Sequence, residues 1–171
     1  MNRRQLLAGT GALLTGAAAW QLTRAASALA ETAPLSPIAK IEKTPEEWRA
    51  LLTPEQYAVL REEATERPYT SPLNDVKKPG TFACAGCDLP LYKTEWKYDS
   101  RTGWPSFWRA VDGHVGTKTD WKLIYPRTEV HCIRCEGHLG HIFDDGPPPT
   151  GKRHCINGIA MTFKPEAKVA G

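Results

Sequence analysis

The sequence predicts a mainly β domain of short antiparallel strands, preceded by short N-terminal helices. Three observations predict it. From Gly80 onward, short runs of aromatic and β-branched residues alternate with Gly, Pro, Asp and Asn. Two Cys-x-x-Cys pairs punctuate that region. Upstream of it, two Thr-Pro-Glu segments read as helix starts. There is no strand-helix-strand alternation and no Gly-rich phosphate loop.

In chain order, residues 1–30 come first and read as an export signal. They contain Arg3, Arg4 and Arg24 and no acidic residue. An uncharged Ala/Gly/Leu-rich stretch follows the paired arginines, and Ala28-Leu29-Ala30 supplies a small-x-small cleavage site. Arg3-Arg4 followed by Gln5-Leu6-Leu7 resembles a twin-arginine signal, with Leu6 where an aromatic is usual. The expected location is therefore export to the periplasm. The competing reading is an uncleaved anchor facing the periplasm, because the 19 residues between Arg4 and Arg24 approach a membrane-spanning length.

Residues 31–43, with Pro34 and Pro37, read as a linker, and 44–171 as the working domain. Thr44-Pro45-Glu46-Glu47 is a capping box with Pro at the first helical position. It predicts a helix to about Leu52, with Trp48, Leu51 and Leu52 on one face. Thr53-Pro54-Glu55-Gln56 repeats the device and predicts a helix to about Thr65. Strands are expected at Thr81–Ala83, Leu91–Tyr92, Phe107–Ala110, Val115–Asp120, Lys122–Tyr125, Glu129–Cys132, His141–Phe143 and Cys155–Phe163.

Composition narrows the function. A chain of 171 residues with 41% hydrophobic residues and six Trp can bury a real core, so disorder is excluded. The formal charge of +3 equals the three arginines of the signal. Without them, 19 Lys and Arg face 19 Asp and Glu. A neutral domain offers no basic face, which argues against nucleic acid as a partner. A membrane is a partner only through an uncleaved signal.

Cys84-Ala-Gly-Cys87 and Cys132-Ile-Arg-Cys135 are separated by 44 residues. Two residues between thiolates let a tight turn aim both sulfurs at one ion, with Gly86 easing the first turn. Two such turns close a tetrahedral shell. Four sulfurs leave no open position, so the expected ion is one structural Zn2+. The competing reading is two redox disulfides. It is the weaker one, since neither pair precedes the helix of a thioredoxin-like unit.

The fifth cysteine, Cys155, stands in Arg153-His154-Cys155-Ile156-Asn157. On a strand, Arg153, Cys155 and Asn157 share one face and His154 points away. A guanidinium beside a thiol favours the thiolate, the reactive form. A buried inert thiol is the equal alternative on this segment alone. Gly137-His138-Leu139-Gly140-His141 adds two imidazoles able to move protons, although such histidines are more often structural. Gly103-Trp104-Pro105-Ser106-Phe107-Trp108 is an aromatic run that could equally be core.

Together these segments resemble the B-type methionine sulfoxide reductases, which act on the R epimer. The resemblance spans about 43–164. It is carried by Thr53-Pro-Glu-Gln-Tyr57, Thr65-Glu-Arg-Pro68, both cysteine pairs, Gly103–Phe107, Gly137–Phe143, Asp145-Gly-Pro147 and Arg153–Asn157, in family order. It implies two twisted antiparallel sheets with zinc at one end. It implies Cys155 as nucleophile, with Arg153 supporting its thiolate. It implies Trp104 as the wall for the sulfoxide methyl, with Phe107 nearby. His138, His141 and Asn157 are implied as the polar ring around the sulfoxide oxygen. The implied partners are proteins carrying methionine-R-sulfoxide and a thiol reductant. Many relatives carry a resolving cysteine where this chain has Thr102, so an external thiol, such as a thioredoxin-like protein, is expected to finish each cycle. The rival class is a non-enzymatic zinc-binding partner or folding module on the same sheets.

Overall fold

In the computed structural model, residues 37–167 are described. The export signal at 1–30 and linker residues 31–36 lie outside the described residues. No helix among the described residues is long and apolar enough to cross a membrane.

Both capping boxes form. Thr44 accepts from the Glu47 amide and opens α1 (Pro45–Leu51); Thr53 accepts from the Gln56 amide and opens α2 (Pro54–Glu62). In each, the Glu or Gln side chain reaches back to the capping amide. Helix α1 buries Trp48 and Leu52 but leaves Leu51 exposed, so the expected three-residue face is really two. Helix α2 ends three residues earlier than expected, because Glu63 turns left-handed with φ 56°. That turn sends Thr65 and Glu66 away from the helix axis, and both become important below.

Among the described residues, nine strands form two antiparallel sheets. The smaller has order β2-β1-β9, with β1 Gly80–Cys84, β2 Pro90–Lys93 and β9 Met161–Pro165. The larger has order β3-β4-β8-β7-β6-β5. Its strands are β3 Lys97–Tyr98, β4 Ser106–Phe107, β5 Val115–Asp120, β6 Arg127–Cys132, β7 His138–Phe143 and β8 Arg153–Ile156. The mainly β architecture with two antiparallel sheets is the one the sequence predicts.

Three strand expectations differ. Lys122–Tyr125 is no strand but the loop joining β5 to β6. The strand expected over Phe107–Ala110 is only Ser106–Phe107. Cys155–Phe163 is not continuous: a 3-10 turn at Gly158–Ala160 carries the chain from β8 in the large sheet to β9 in the small one. Strand alternation therefore runs over Arg153–Ile156 and is broken at the 3-10 turn that follows Asn157.

The core lies between the sheets and under the helices. It gathers Trp48, Leu60, Phe82, Leu91, Tyr92, Phe107, Val130, Leu139 and Ile156 with Cys84, Cys132 and Cys135. Burying such side chains contributes roughly 1.5–3 kcal/mol each before entropy is charged against it.

Candidate active site and metal centre

The larger sheet carries one row of polar side chains across all six strands. Antiparallel partners in register are Tyr98, Ser106, Cys155, His141, Glu129 and Lys118, taken from β3 to β5. Residues directly opposite on neighbouring strands share a face. Cys155 thus sits between Ser106 on one side and His141 on the other. The next row, Lys97, Phe107, His154 and Ile142, takes the opposite face. His154, expected to point away, and Phe107, expected near the site, both lie in this second row. His154 points away from Cys155, as parity predicts, and its Nδ1 meets the Tyr92 hydroxyl at 3.2 Å. Phe107 goes with it. It is fully buried, stacks on Tyr92 at 4.3 Å and meets Phe82 edge-on at 5.0 Å. Phe107 is therefore core and not a wall of the site.

The wall residues are Trp104 and Phe143. With Thr65, Arg127, Gly140, His141, Cys155 and Asn157 they line a cavity of about 120 Å3. The Trp104 indole is fixed by donating Nε1–H to the Glu66 carbonyl at 3.1 Å. Gly103 precedes it with φ +93°, and a Cβ there would press within 2.7 Å of Pro68. Gly140 is required by close approach: a Cβ would stand 2.1 Å from the Cys155 carbonyl oxygen across the β7–β8 ladder.

Two histidines three residues apart on a regular strand would face opposite sides. Here the pairing steps from Val130↔Gly140 to His131↔His138, leaving Leu139 as an extra residue on β7. This bulge turns His138 back towards His141, and the rings lie 5.5 Å apart. Each ring meets a carboxylate that sequence reasoning missed. His141 Nε2 is 2.8 Å from Asp120. His138 Nδ1 is 3.0 Å from Glu129, close but poorly aligned for a hydrogen bond. His138 is deeply buried beside the cavity, whereas His141 lines it.

The Asp120 carboxylate also accepts from the Lys122 amide at 2.8 Å and from Arg127 at 2.5 Å. The Lys122 amide, then His141, then Arg127 hold it well below the usual carboxylate range. Burial pushes the His141 imidazolium down despite the Asp120 bond, so the resting ring is neutral at pH 7. With Asp120 ionised, Nε2 carries the ring proton, leaving Nδ1 to exchange protons.

The Cys155 thiol is held up by burial. Thr102, through a 3.8 Å contact, and the Arg153 charge pull the other way. The majority thiolate that a neighbouring arginine alone would give is thus not the resting state. Arg153 is clamped by Asp145 through two bonds of 2.8 Å, and its guanidinium lies 4.3 Å over the Phe143 ring. Thr102 belongs to a hydroxyl chain, bonding Ser100 at 2.8 Å, which bonds Ser106 at 2.7 Å.

Asn157 is held at both ends of its side-chain amide. Its Nδ2 donates to the Leu139 carbonyl at 3.0 Å and its Oδ1 accepts from the Glu66 amide. The Glu66 carboxylate accepts from the Gly158 and Ile159 amides at 2.5 and 3.0 Å. Glu66 therefore fixes Trp104, Asn157 and the 3-10 turn together. The Thr65-Glu66 pair in the motif was the available sequence signal.

The four remaining cysteines converge, with all four Sγ atoms within 4.8 Å of one another. Two contacts cross between the pairs: Cys84 to Cys135 at 3.6 Å and Cys87 to Cys132 at 3.4 Å. A tetrahedron of 2.3 Å zinc–sulfur bonds has edges of about 3.8 Å. Two disulfides would instead draw the sulfurs into pairs about 2.05 Å apart. The donor set fits a closed four-sulfur metal site. Cys84 ends β1 and Cys132 ends β6, so the cluster ties one sheet to the other. The two turns match. The Asp88 amide bonds the Cys84 carbonyl and the Glu136 amide bonds the Cys132 carbonyl. Asp88 and Glu136 both have positive φ, so these residues and not Gly86 take the strained position. Arg61 of α2 caps the second turn at the Cys135 carbonyl, 2.7 Å away.

Known proteins resemble this chain over most of its length. The SelR domain matches residues 52–165. The peptide methionine sulfoxide reductase MsrB of Pseudomonas putida is 52% identical over 127 residues, covering 74% of this chain and 96% of that protein. The MsrB of Methanosarcina barkeri is 48% identical over 127 residues, covering 74% and 89%. The MsrB of Agrobacterium fabrum is 49% identical over 127 residues, covering 74% and 94%. The chain belongs to the SelR-domain family, as a B-type methionine sulfoxide reductase.

Proposed function

We propose that this protein reduces the R epimer of peptide methionine sulfoxide with Cys155 as nucleophile. The observation that carries the reading is the place of Cys155: between Ser106 and His141 in one cross-strand row, opening on a cavity walled by Trp104. The sulfoxide sulfur is electrophilic and its oxygen is a poor leaving group. The Cys155 thiolate attacks sulfur and forms an S–S bond; that bond and the S–O bond then break as the oxygen transfers to the Cys155 sulfur, leaving a sulfenic acid and releasing methionine. Protonating the oxygen lowers the barrier. His141 suits that task, since a neutral ring can relay the thiol proton and Asp120 holds its orientation. Trp104 and Phe143 receive the S-methyl group. Asn157, with Arg153 beside the thiol and His138 behind His141, completes the surround.

An external thiol then attacks the sulfenic sulfur, releasing water and leaving a mixed disulfide. A second thiol restores Cys155. Thr102 occupies the contact position where a resolving cysteine would act, and the other four cysteines are gathered in the metal cluster. A thioredoxin-like protein is the reductant this chemistry favours. Zn2+ is the ion the four sulfurs suit, and it acts structurally by joining the sheets. Export to the periplasm through the twin-arginine-like segment would expose the enzyme to oxidised envelope proteins.

The test is Cys155→Ser, assayed on peptides carrying R- or S-sulfoxide. Wild type should reduce only the R epimer. The variant should lose activity while keeping one zinc per chain and its melting temperature. A variant that stays active overturns the assignment, and a metal-loaded, folded wild type without activity favours the non-enzymatic module.

A further inference from the structure

The loop between β5 and β6 exposes four large apolar side chains to water. Trp121 is 71%, Leu123 46%, Ile124 105% and Tyr125 61% exposed. A contiguous patch of this kind marks a contact surface. Its place in the fold says what it contacts. Asp120 and Arg127 are paired at the loop's two ends. Asp120 bonds the Lys122 amide inside the loop and His141 in the cavity, and Arg127 itself lines that cavity. On the other flank, Lys122 pairs with Glu63 at 2.5 Å, two residues before Thr65 of the cavity wall. One carboxylate thus fastens the loop to the proton-handling histidine, and one ion pair fastens it to the rim.

We propose that this loop docks apolar side chains flanking the sulfoxide in a substrate polypeptide. The inference rests on the reductase reading and extends it to substrate choice. A cavity of about 120 Å3 admits one side chain, so the residues on either side of the methionine sulfoxide must lie over the rim. On the β5–β6 side, the loop that ends at Arg127 of the cavity lining carries the exposed Trp121, Ile124 and Tyr125. The neighbouring lysines, Lys118 and Lys122, are both paired to Glu63, so the loop presents apolar surface and no unpaired lysine beside it. A lipid surface or a second copy of the chain would be served by an apolar loop anywhere on the molecule. The anchorage to His141 is accounted for by a ligand that occupies the cavity and the loop together.

The experiment compares kcat/KM for three R-sulfoxides: a peptide with Leu and Phe flanking the sulfoxide, a peptide with Ser and Gly there, and the N-acetyl amide of methionine sulfoxide. Wild type should favour the apolar peptide over the amide by about ten-fold, equivalent to about 1.4 kcal/mol. In W121S/I124S/Y125S that ratio should collapse towards one, through KM and not kcat. The single variant Ile124→Ser, at the most exposed position, should lower the ratio partway and guards against a folding defect. A wild type with no flank preference, or a triple variant that keeps it, overturns the proposal. Loop-dependent sedimentation with phosphatidylglycerol vesicles, without any flank preference, would assign the loop to lipid instead. Failure of wild type on all three substrates would sink the reductase reading itself.

Discussion

Replacing Thr102 by Cys should convert a one-cysteine cycle into a two-cysteine cycle. Thr102 Oγ1 lies 3.8 Å from Cys155 Sγ, in direct contact from the loop that precedes β4. A thiol there needs to approach by about 1.8 Å to reach disulfide bonding distance, and besides Cys155 the Thr102 hydroxyl bonds only Ser100 among the described residues. The two positions are 53 residues apart in the chain. Closing a loop of that length removes denatured-state entropy corresponding to about 4 kcal/mol at 25 °C. Oxidised Thr102→Cys should therefore melt well above its reduced form. The assay adds one equivalent of peptide R-sulfoxide without reductant, followed by intact mass and a thermal scan. The variant should lose two hydrogens, keep its metal and gain thermal stability, whereas wild type should gain one oxygen at Cys155. A variant that never cross-links, or one that cross-links with loss of the metal, refutes the reasoning about Thr102.

Other outcomes follow from the same geometry. Arg153→Met removes the cation beside Cys155, so the thiol, already held up by burial, should rise further; the rising limb of the kcat/KM profile should move to higher pH. His154 is buried, and burial lowers its pKa from 6.5 to about 4. The unfolded chain therefore binds this proton first. Stability from the neutral ring is complete above about pH 6.5 and is lost as pH falls towards 4, by about 3 kcal/mol in all. The pH-dependent melts of wild type and His154→Leu should differ in slope over that window. Phe107→Ala should cost about 3–5 kcal/mol of stability in urea melts, whereas Trp104→Ala should instead raise KM. Stripping the metal, or Cys132→Ser, should loosen the junction of the sheets and broaden or lower the thermal transition, read against zinc content.

The parts legible in sequence were those with local signatures. The capping boxes at Thr44 and Thr53, the two cysteine turns and the strand parity of Arg153–Ile156 all follow from short-range chemistry. Phe107 was misplaced because its partner across the ladder is His154 and not Cys155, and register is not written in either strand alone. His138 and His141 share a side only through the bulge at Leu139, which period-two reasoning cannot supply. Asp120, Glu129 and Glu66 were missed because each acts through a partner distant in sequence. The break after Ile156 was hidden because Gly158–Ala160 lies within a run that reads as strand.

The central claim is that Cys155 accepts the sulfoxide oxygen. The most direct measurement is dimedone trapping during a single turnover, with the site mapped by peptide mass. With R-sulfoxide, one adduct should form on Cys155, with none on Cys84, Cys87, Cys132 or Cys135, and none should form with S-sulfoxide. Absence of the Cys155 adduct while methionine is released, or an adduct on a cluster cysteine, would contradict the account.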